Sequence, residues 1–325
     1  MSQIEPFYFL EPLNVNNIGV LMREAVRRAC AIIYSQRISF TWKEKNVTYK
    51  TDVDVVTSAD HDAQEMYLSF LKRNFPKFGI IAEEDDLFTP AQPFTAHGHL
   101  PHENVEHFFY FTIDPLDGTK AFKRRQSNNY SSMLSLIHHC PDLGIKEVIG
   151  VCIGDPMTGE MYYTRPGSPR VHQLDRINDL HRLLAFDSET PLKERYLLLR
   201  DETTEFSPLV QAIAGASNKE DRFFKSYQIE GGSIGISFAK LWKNEYGALV
   251  LKPGRTTTWD TAPVIGISKK LDFVPLVHRN GELVLTEFEP SVERVETPQE
   301  ETIVVHRSLA EPLIQWSKQL ELATV

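Results

Sequence analysis

Two aspartates stand three positions apart in Ile113-Asp-Pro-Leu-Asp-Gly-Thr119, directly after the apolar run FFYFTI. Carboxylates delivered together to the end of a buried strand repel one another, and a divalent cation relieves that repulsion. Pro115 fixes φ, and Gly118 lets the backbone come close to a ligand. Gly118-Thr119 then leads into an expected helical turn, whose free N–H groups hold anions. One loop would serve both a metal ion and a phosphate. The competing reading is a plain strand, turn and helix in which Asp is a cap.

Three further strings carry acids. Ile80-Ile-Ala-Glu-Glu-Asp-Asp86 is an apolar strand ending in Glu83 and Glu84. An acidic run alone is commonly a solvated loop, whereas a buried strand would position its acids rigidly. Thr57-Ser-Ala-Asp60 reads as a capping box. Thr258-Trp-Asp260-Thr-Ala-Pro263 places Asp260 at or near a helix start, where capping is again the simpler role.

The elements that must position these strings follow from periodicity. Ile18, Leu21, Met22, Ala25, Ala29, Ile32 and Ile33 predict an amphipathic helix over Asn14 to Gln36. Two β-type runs around Lys45-Asn46 predict a hairpin. A second helix is expected from Ala59 to Asn74, stopped by Pro76. GIIA, FFYFTI, YSSMLSLI, EVIGVCIG and GEMYYT read as strands. Beyond a boundary near Pro166 to Leu180, helices around Phe238–Trp242, Trp259–Lys269 and Leu309–Leu322 alternate with strands GALVL, FVPLV and TIVVH. The pattern predicts layered α/β packing in two sub-domains, residues 1–168 and 169–325.

Composition narrows the function. The 325 residues are 42% hydrophobic and 24% charged, which excludes wholesale disorder. A net charge of -9 is a poor match to a nucleic-acid polymer or an anionic membrane. Bound metal ions can still reverse the sign locally for a small anion. Three cysteines without a CxxC argue against a disulfide framework or thiolate zinc site and for a reducing compartment. The N-terminal MSQIEPFYFLEP lacks signal-peptide character, and no apolar stretch approaches the ~18 residues that span a bilayer, so a cytoplasmic location is expected. The sequons at Asn46 and Asn129 would then stay unmodified. No P-loop or GxGxxG string occurs, and Glu230-Gly-Gly-Ser-Ile-Gly235 is read as a turn before a helix rather than as a nucleophilic serine signature.

ThrxxAsp, GluGlu, AspProLeuAspGlyThr and TrpAsp, in this order, resemble the inositol monophosphatase superfamily of magnesium-dependent, lithium-sensitive sugar and nucleotide phosphatases. The resemblance runs from about Asn14 to the C-terminal helix. DPLDGTKAF, with Lys120 and Phe122, and KPGRTTTWDTA are more similar to its 3'(2'),5'-bisphosphate nucleotidases. The resemblance implies a layered αβαβα fold with the site between two sub-domains, and two or three Mg²⁺ ions. It implies metal ligation by Glu83, Asp114, the Leu116 carbonyl, Asp117 and Asp260, with Glu84 in the outer shell. It implies that Thr119, hydrogen-bonded to Asp60, orients an attacking water together with Glu83. The Gly118 and Thr119 amides would cradle phosphate, and Ser233 would border the substrate. An all-oxygen donor set suits Mg²⁺, which needs neither His nor Cys.

The chain also departs from that pattern. Where nucleotidases carry a Ser-Arg-Ser-His-like stretch, it reads LLLRDETTEF, with Arg200. QSNNYSS replaces a Gly-Glu-Phe stretch, SKKLDF replaces Glu-Ala-Gly-Gly, and Pro263 replaces a small residue near the first turn of its helix, where Pro is tolerated. Lys120, Lys123, Arg124 and Arg125 form a basic cluster, read either as a second phosphate contact or as a solvated face. His97, His99, His102 and His107 share one loop, read as a flap beside the site rather than a zinc site. The expected activity is hydrolysis of a small phosphorylated metabolite, first 3'-phosphoadenosine 5'-phosphate, next an inositol or sugar phosphate. A non-catalytic anion-sensing protein is the rival of another class. A homodimer accords with the resemblance; no sequence stripe marks an interface.

Overall fold

Ile18, Met22, Ala25, Val26, Ala29 and Ile33 recur at helical spacing and are all buried, which fixes the inner face of helix α1, Val15–Gln36. The computed structural model describes residues 9–10, 13–45, 55–95, 105–175, 180–215, 223–279, 282–293 and 297–319. Helix α2 spans Ser58–Asn74 and buries Ala59, Ala63, Tyr67 and Leu71. Both helices lie on one face of a nine-stranded sheet.

From its outer edge that sheet runs Leu180–Leu183, His172–Asp175, Met161–Thr164, Ile145–Gly154, Ser131–Cys140, Glu106–Asp117, Gly79–Ala82 and Phe88–Thr89; Phe94–Thr95 pairs beside Glu106–Asp117. Only Gly79–Ala82 and Glu106–Asp117 run parallel among these pairs. Both parallel partners are apolar runs, as burial on two faces demands. The sheet includes His172–Asp175 and Leu180–Leu183, past the division expected after residue 168.

Helix α3 is the short Thr119–Lys123, and α4 is Pro208–Gly215. Helices α5 (Ile234–Trp242) and α6 (Thr258–Lys270) fill the space between the first sheet and a second. The second sheet has the order Ser226–Ile229, Tyr196–Leu199, Tyr246–Leu251, Thr302–His306, Phe273–Arg279, Glu282–Leu285. Its first three strands are parallel. Helices α4 and α7 (Arg307–Gln319) cover its far side. The layers are therefore α1 and α2, sheet, α5 and α6, sheet, α4 and α7, which is the expected αβαβα order. Three buried apolar clusters fill the four gaps between them, one of the clusters running through the α5 and α6 layer from sheet to sheet.

Pro263 stands within α6 rather than in its first turn, and the helix continues past it to Lys270. Trp42–Glu44 pairs antiparallel with Val55–Thr57 as the hairpin reading requires; its turn, with Asn46, falls outside the described residues. His97, His99, His102 and the end of the closing helix beyond Gln319 also fall outside them. Among the described residues no helix is long and apolar enough to cross a membrane.

Candidate metal centre

Asp114 and Asp117 lie at the end of the central Glu106–Asp117 strand, where its pairing with Ser131–Cys140 slips. Asp114 faces Met133 and Asp117 faces Ser131, so three steps on one strand match two on the other. In a regular strand residues three apart point to opposite faces. The extra residue of the bulge turns both carboxylates to one side. Pro115, which donates no ladder hydrogen bond, fits such an irregular place.

Asp260 reaches the same point from the first turn of α6. One ligand oxygen from each of Asp114, Asp117 and Asp260 lies within 4.8 Å of the others. Asp114 is 2% exposed, and its buried Oδ1 has no hydrogen-bond partner among the described residues. Burial, then the carboxylates of Glu83, Asp117 and Asp260, push the Asp114 carboxyl well above the ordinary range. An orphaned buried oxygen amid converging carboxylates could hold a cation. The donors are oxygens only, which fits a hard ion such as Mg²⁺.

Asp117 carries a second duty. Its Oδ2 accepts from Ser233 Oγ, from Gly235 N at 2.8 Å and from Ser131 Oγ at 3.1 Å, while Oδ1 accepts from Ile234 N at 3.1 Å. It thus sits on the N-terminus of α5, whose cap Ser233 also accepts from Ile236 N at 2.9 Å. Three donors occupy Oδ2, so Oδ1 keeps the spare lone pair for a ligand. Burial raises this carboxyl, and the Ser233, Gly235 and Ile234 donors and the Arg200 charge oppose the rise.

The backbone beneath is tight. Gly118 has φ 90°, and a Cβ there would meet Asn129 O at 2.5 Å and Ser233 N at 2.9 Å. Gly232 has φ 96° and would meet the same Asn129 carbonyl at 2.6 Å. Only glycine fits either place.

Asp60 unites its two readings. Its Oδ2 accepts from Thr57 N at 2.8 Å and Thr57 Oγ1 at 2.5 Å, closing the capping box of α2. Its Oδ1 accepts from Thr119 Oγ1 at 3.1 Å; the Leu116 carbonyl is the alternative acceptor at 3.0 Å. Burial, against the Thr57 hydroxyl and with Glu83 adding, pushes Asp60 up to about 7. Asp260 repeats the device, accepting from Thr257 Oγ1 at 2.6 Å at the start of α6.

Glu83 follows the Gly79–Ala82 strand, with its N–H on Ile113 O at 3.2 Å. Glu84 is pinned by Gln64, which accepts from Glu84 N at 2.9 Å and donates to Glu84 O at 2.8 Å. Burial and the Glu83 charge push Glu84 up to about 8, against the pull of Lys45. Lys45 reaches Glu83 Oε1 at 2.7 Å and Glu84 Oε1 at 2.8 Å. The sequence reading missed this lysine. It also missed the bond between Asp117 and Ser233, which are 116 positions apart.

Lys120 stands exposed on α3, beside Thr119. Lys123 Nζ lies 3.2 Å from the Trp42 ring centroid, and the Arg125 guanidinium carbon 6.0 Å from that of Phe40. The basic cluster is thus partly spent on aromatic faces. Arg200, at the carboxyl end of the Tyr196–Leu199 strand, donates through Nη2 to Gly232 O; its Nε is buried without a partner among the described residues. His107 lies in the central strand, 2.9 Å from His138, rather than in a flap.

The chain is 30% identical over 121 residues to the Nus factor SuhB of Vibrio cholerae, covering 37% of this chain and 38% of that one. It therefore spans well under two thirds of that relative. It is 25% identical over 231 residues to the 3'(2'),5'-bisphosphate nucleotidase CysQ of Haemophilus influenzae, covering 69% and 72%. The extragenic suppressor protein suhB of Bartonella henselae shares the fold, with a TM-score of 0.62 at 15% identity over 93% of this chain and 98% of that one. The statistical model of the inositol monophosphatase family matches residues 17–269, and the chain belongs to that family.

Proposed function

We propose that the chain is a Mg²⁺-dependent phosphomonoesterase acting on a small phosphorylated metabolite. The observation that carries this is the orphaned Asp114 Oδ1 among the converging Asp117 and Asp260 carboxylates. Asp114, Asp117, Asp260, Glu83 and the Leu116 carbonyl would hold the ions. When bound, Mg²⁺ supplies positive charge to phosphoryl oxygens and lowers the pKa of water.

The chain's own groups do the rest. Thr119 has one hydroxyl hydrogen, for which Asp60 and the Leu116 carbonyl are the acceptors, so its lone pairs would be left to accept from an attacking water. Asp60 fixes that orientation because Thr57 holds its other oxygen. The Gly118 and Thr119 amides would take phosphate oxygens, and Ser233 would border the substrate while keeping Asp117 in place.

For the substrate, Arg200 favours a compound with a second anionic group, such as 3'-phosphoadenosine 5'-phosphate. A buried guanidinium N–H without an acceptor is costly until a ligand or water supplies one. An inositol or sugar monophosphate is the second reading, supported by the family match. Phosphate release with Mg²⁺ from 3'-phosphoadenosine 5'-phosphate, inositol 1-phosphate and fructose 1,6-bisphosphate separates these readings, with Asp114→Asn as the control. Release from the nucleotide alone supports the first. Metal-dependent binding without turnover would replace hydrolysis by anion sensing. Release unchanged in Asp114→Asn would overturn the assignment.

A further inference from the structure

The ammonium of Lys45 sits where a cation belongs. It lies 2.7 Å from Glu83 Oε1 and 2.8 Å from Glu84 Oε1. The lysine and Glu83 side chains are each 18% exposed, and that of Glu84 is 4% exposed. Taking an ammonium and two carboxyl groups out of water is unfavourable unless their geometry compensates. Here the placement is fixed by backbone. Lys45 directly follows Trp42–Glu44, which pairs with Val55–Thr57. Thr57 opens α2 and holds Asp60, and Lys123 rests on the Trp42 ring. On the other side Gln64 clamps Glu84 through two backbone bonds.

Glu83 also acts electrostatically on Asp114. It therefore stands between two cation positions. The inner one is bounded by Asp114, Asp117 and Asp260; the outer one lies between Glu83 and Glu84. We propose that Lys45 is a tethered cation that occupies the outer position, so that the centre takes one divalent ion fewer than its carboxylates could hold. The proposal rests on the metal-dependent reading above. It concerns which charge fills the Glu83–Glu84 edge, whatever the substrate. A lysine ammonium is a compact point charge with three donors, and two of them meet these two glutamates. It meets Glu83 through Oε1, so Oε2 would be the oxygen that serves the inner ion.

The test is calorimetric titration of Mg²⁺ into the metal-free full chain, without substrate. Lys45→Met keeps most of the stem and removes the charge. It should add one divalent binding event, or tighten the weaker one by at least about tenfold. Lys45→Arg keeps the charge and should reproduce the wild-type isotherm. An isotherm for Lys45→Met that matches the wild type, or that loses an ion, overturns the proposal while leaving the metal-dependent reading intact. Absence of binding in both wild type and Lys45→Met overturns both. Binding only in Lys45→Met supports it. A crystal of the wild type soaked in Mn²⁺ gives a second readout independent of variant folding. An anomalous peak at the inner carboxylates, with Lys45 still on Glu83 and Glu84, is the expected result. A peak between Glu83 and Glu84 with Lys45 displaced would overturn it.

Discussion

Ser233 Oγ donates to Asp117 Oδ2, joining the cap of α5 to the carboxylate at the end of the central strand. The bond ties the second half of the chain to the Asp114–Thr119 loop. It also occupies the one oxygen of Asp117 that has no capacity left for an ion. Ser233→Ala removes a donor to a buried charged group and the side-chain cap of α5 together. The expected cost is about 1–3 kcal/mol, seen as a fall of several degrees in Tm. Half-maximal activation should also need more Mg²⁺. An unchanged melt and activation curve would show that the bond positions nothing.

Asp114 sets function against stability. Its buried carboxyl faces three other acids and leaves one oxygen unpartnered. Asp114→Asn has nearly the same shape and no charge. In EDTA the variant should melt at least about 2 °C above the wild type, because repulsion is relieved. In Mg²⁺ the order should reverse, and phosphate release should fall by at least about 100-fold. Equal melting of the two proteins in EDTA would remove the argument for electrostatic strain.

The metal-free centre should respond to pH in a defined window. Asp60 is raised to about 7 and Glu84 to about 8, so the folded chain holds protons that the unfolded chain has already released. Their stabilising contribution is complete below the ordinary carboxylate range and is lost as pH rises through 7 and 8. Between pH 6.5 and 8.5 the Tm in EDTA should therefore fall. Saturating Mg²⁺, which favours the ionised acids, should flatten or reverse the slope. A Tm in EDTA that rises across this window would refute the assignment.

Much of the centre was legible because its acids follow strong local signals. The apolar runs before Glu83 and Asp114 read as buried strands, and the strings Thr57-Ser-Ala-Asp60 and Thr258-Trp-Asp260 read as helix starts. Periodicity, however, does not explain why Asp114 and Asp117 share a face. That takes the register slip opposite Ser131 and Met133, a property of two strands. Lys45 and Ser233 were harder for the same reason. A lysine beside a turn has no periodic signature, and a serine cap names no distant carboxylate. The edge strand Leu180–Leu183 is exposed along its length, so it lacks the alternation that would have placed it in the first sheet.

His107 and His138 give a test remote from the carboxylates. Their rings meet through Nδ1 and Nε2 at 2.9 Å, and His138 stacks on Phe109 with centroids 4.9 Å apart. One nitrogen of the pair must donate and the other accept, so protonating both rings destroys the bond. Burial, then the charges of His107 and His139, lower His138 to about 4. A histidine held neutral contributes stability above its unfolded pKa near 6.5, and that contribution disappears as pH falls toward 4. The ring resonances of His138 should therefore keep their neutral shifts until about pH 4. His138→Gln should lose less stability than the wild type on acidification from pH 6.5. A ring that titrates near 6.5 would mean that the pair opens to water in solution.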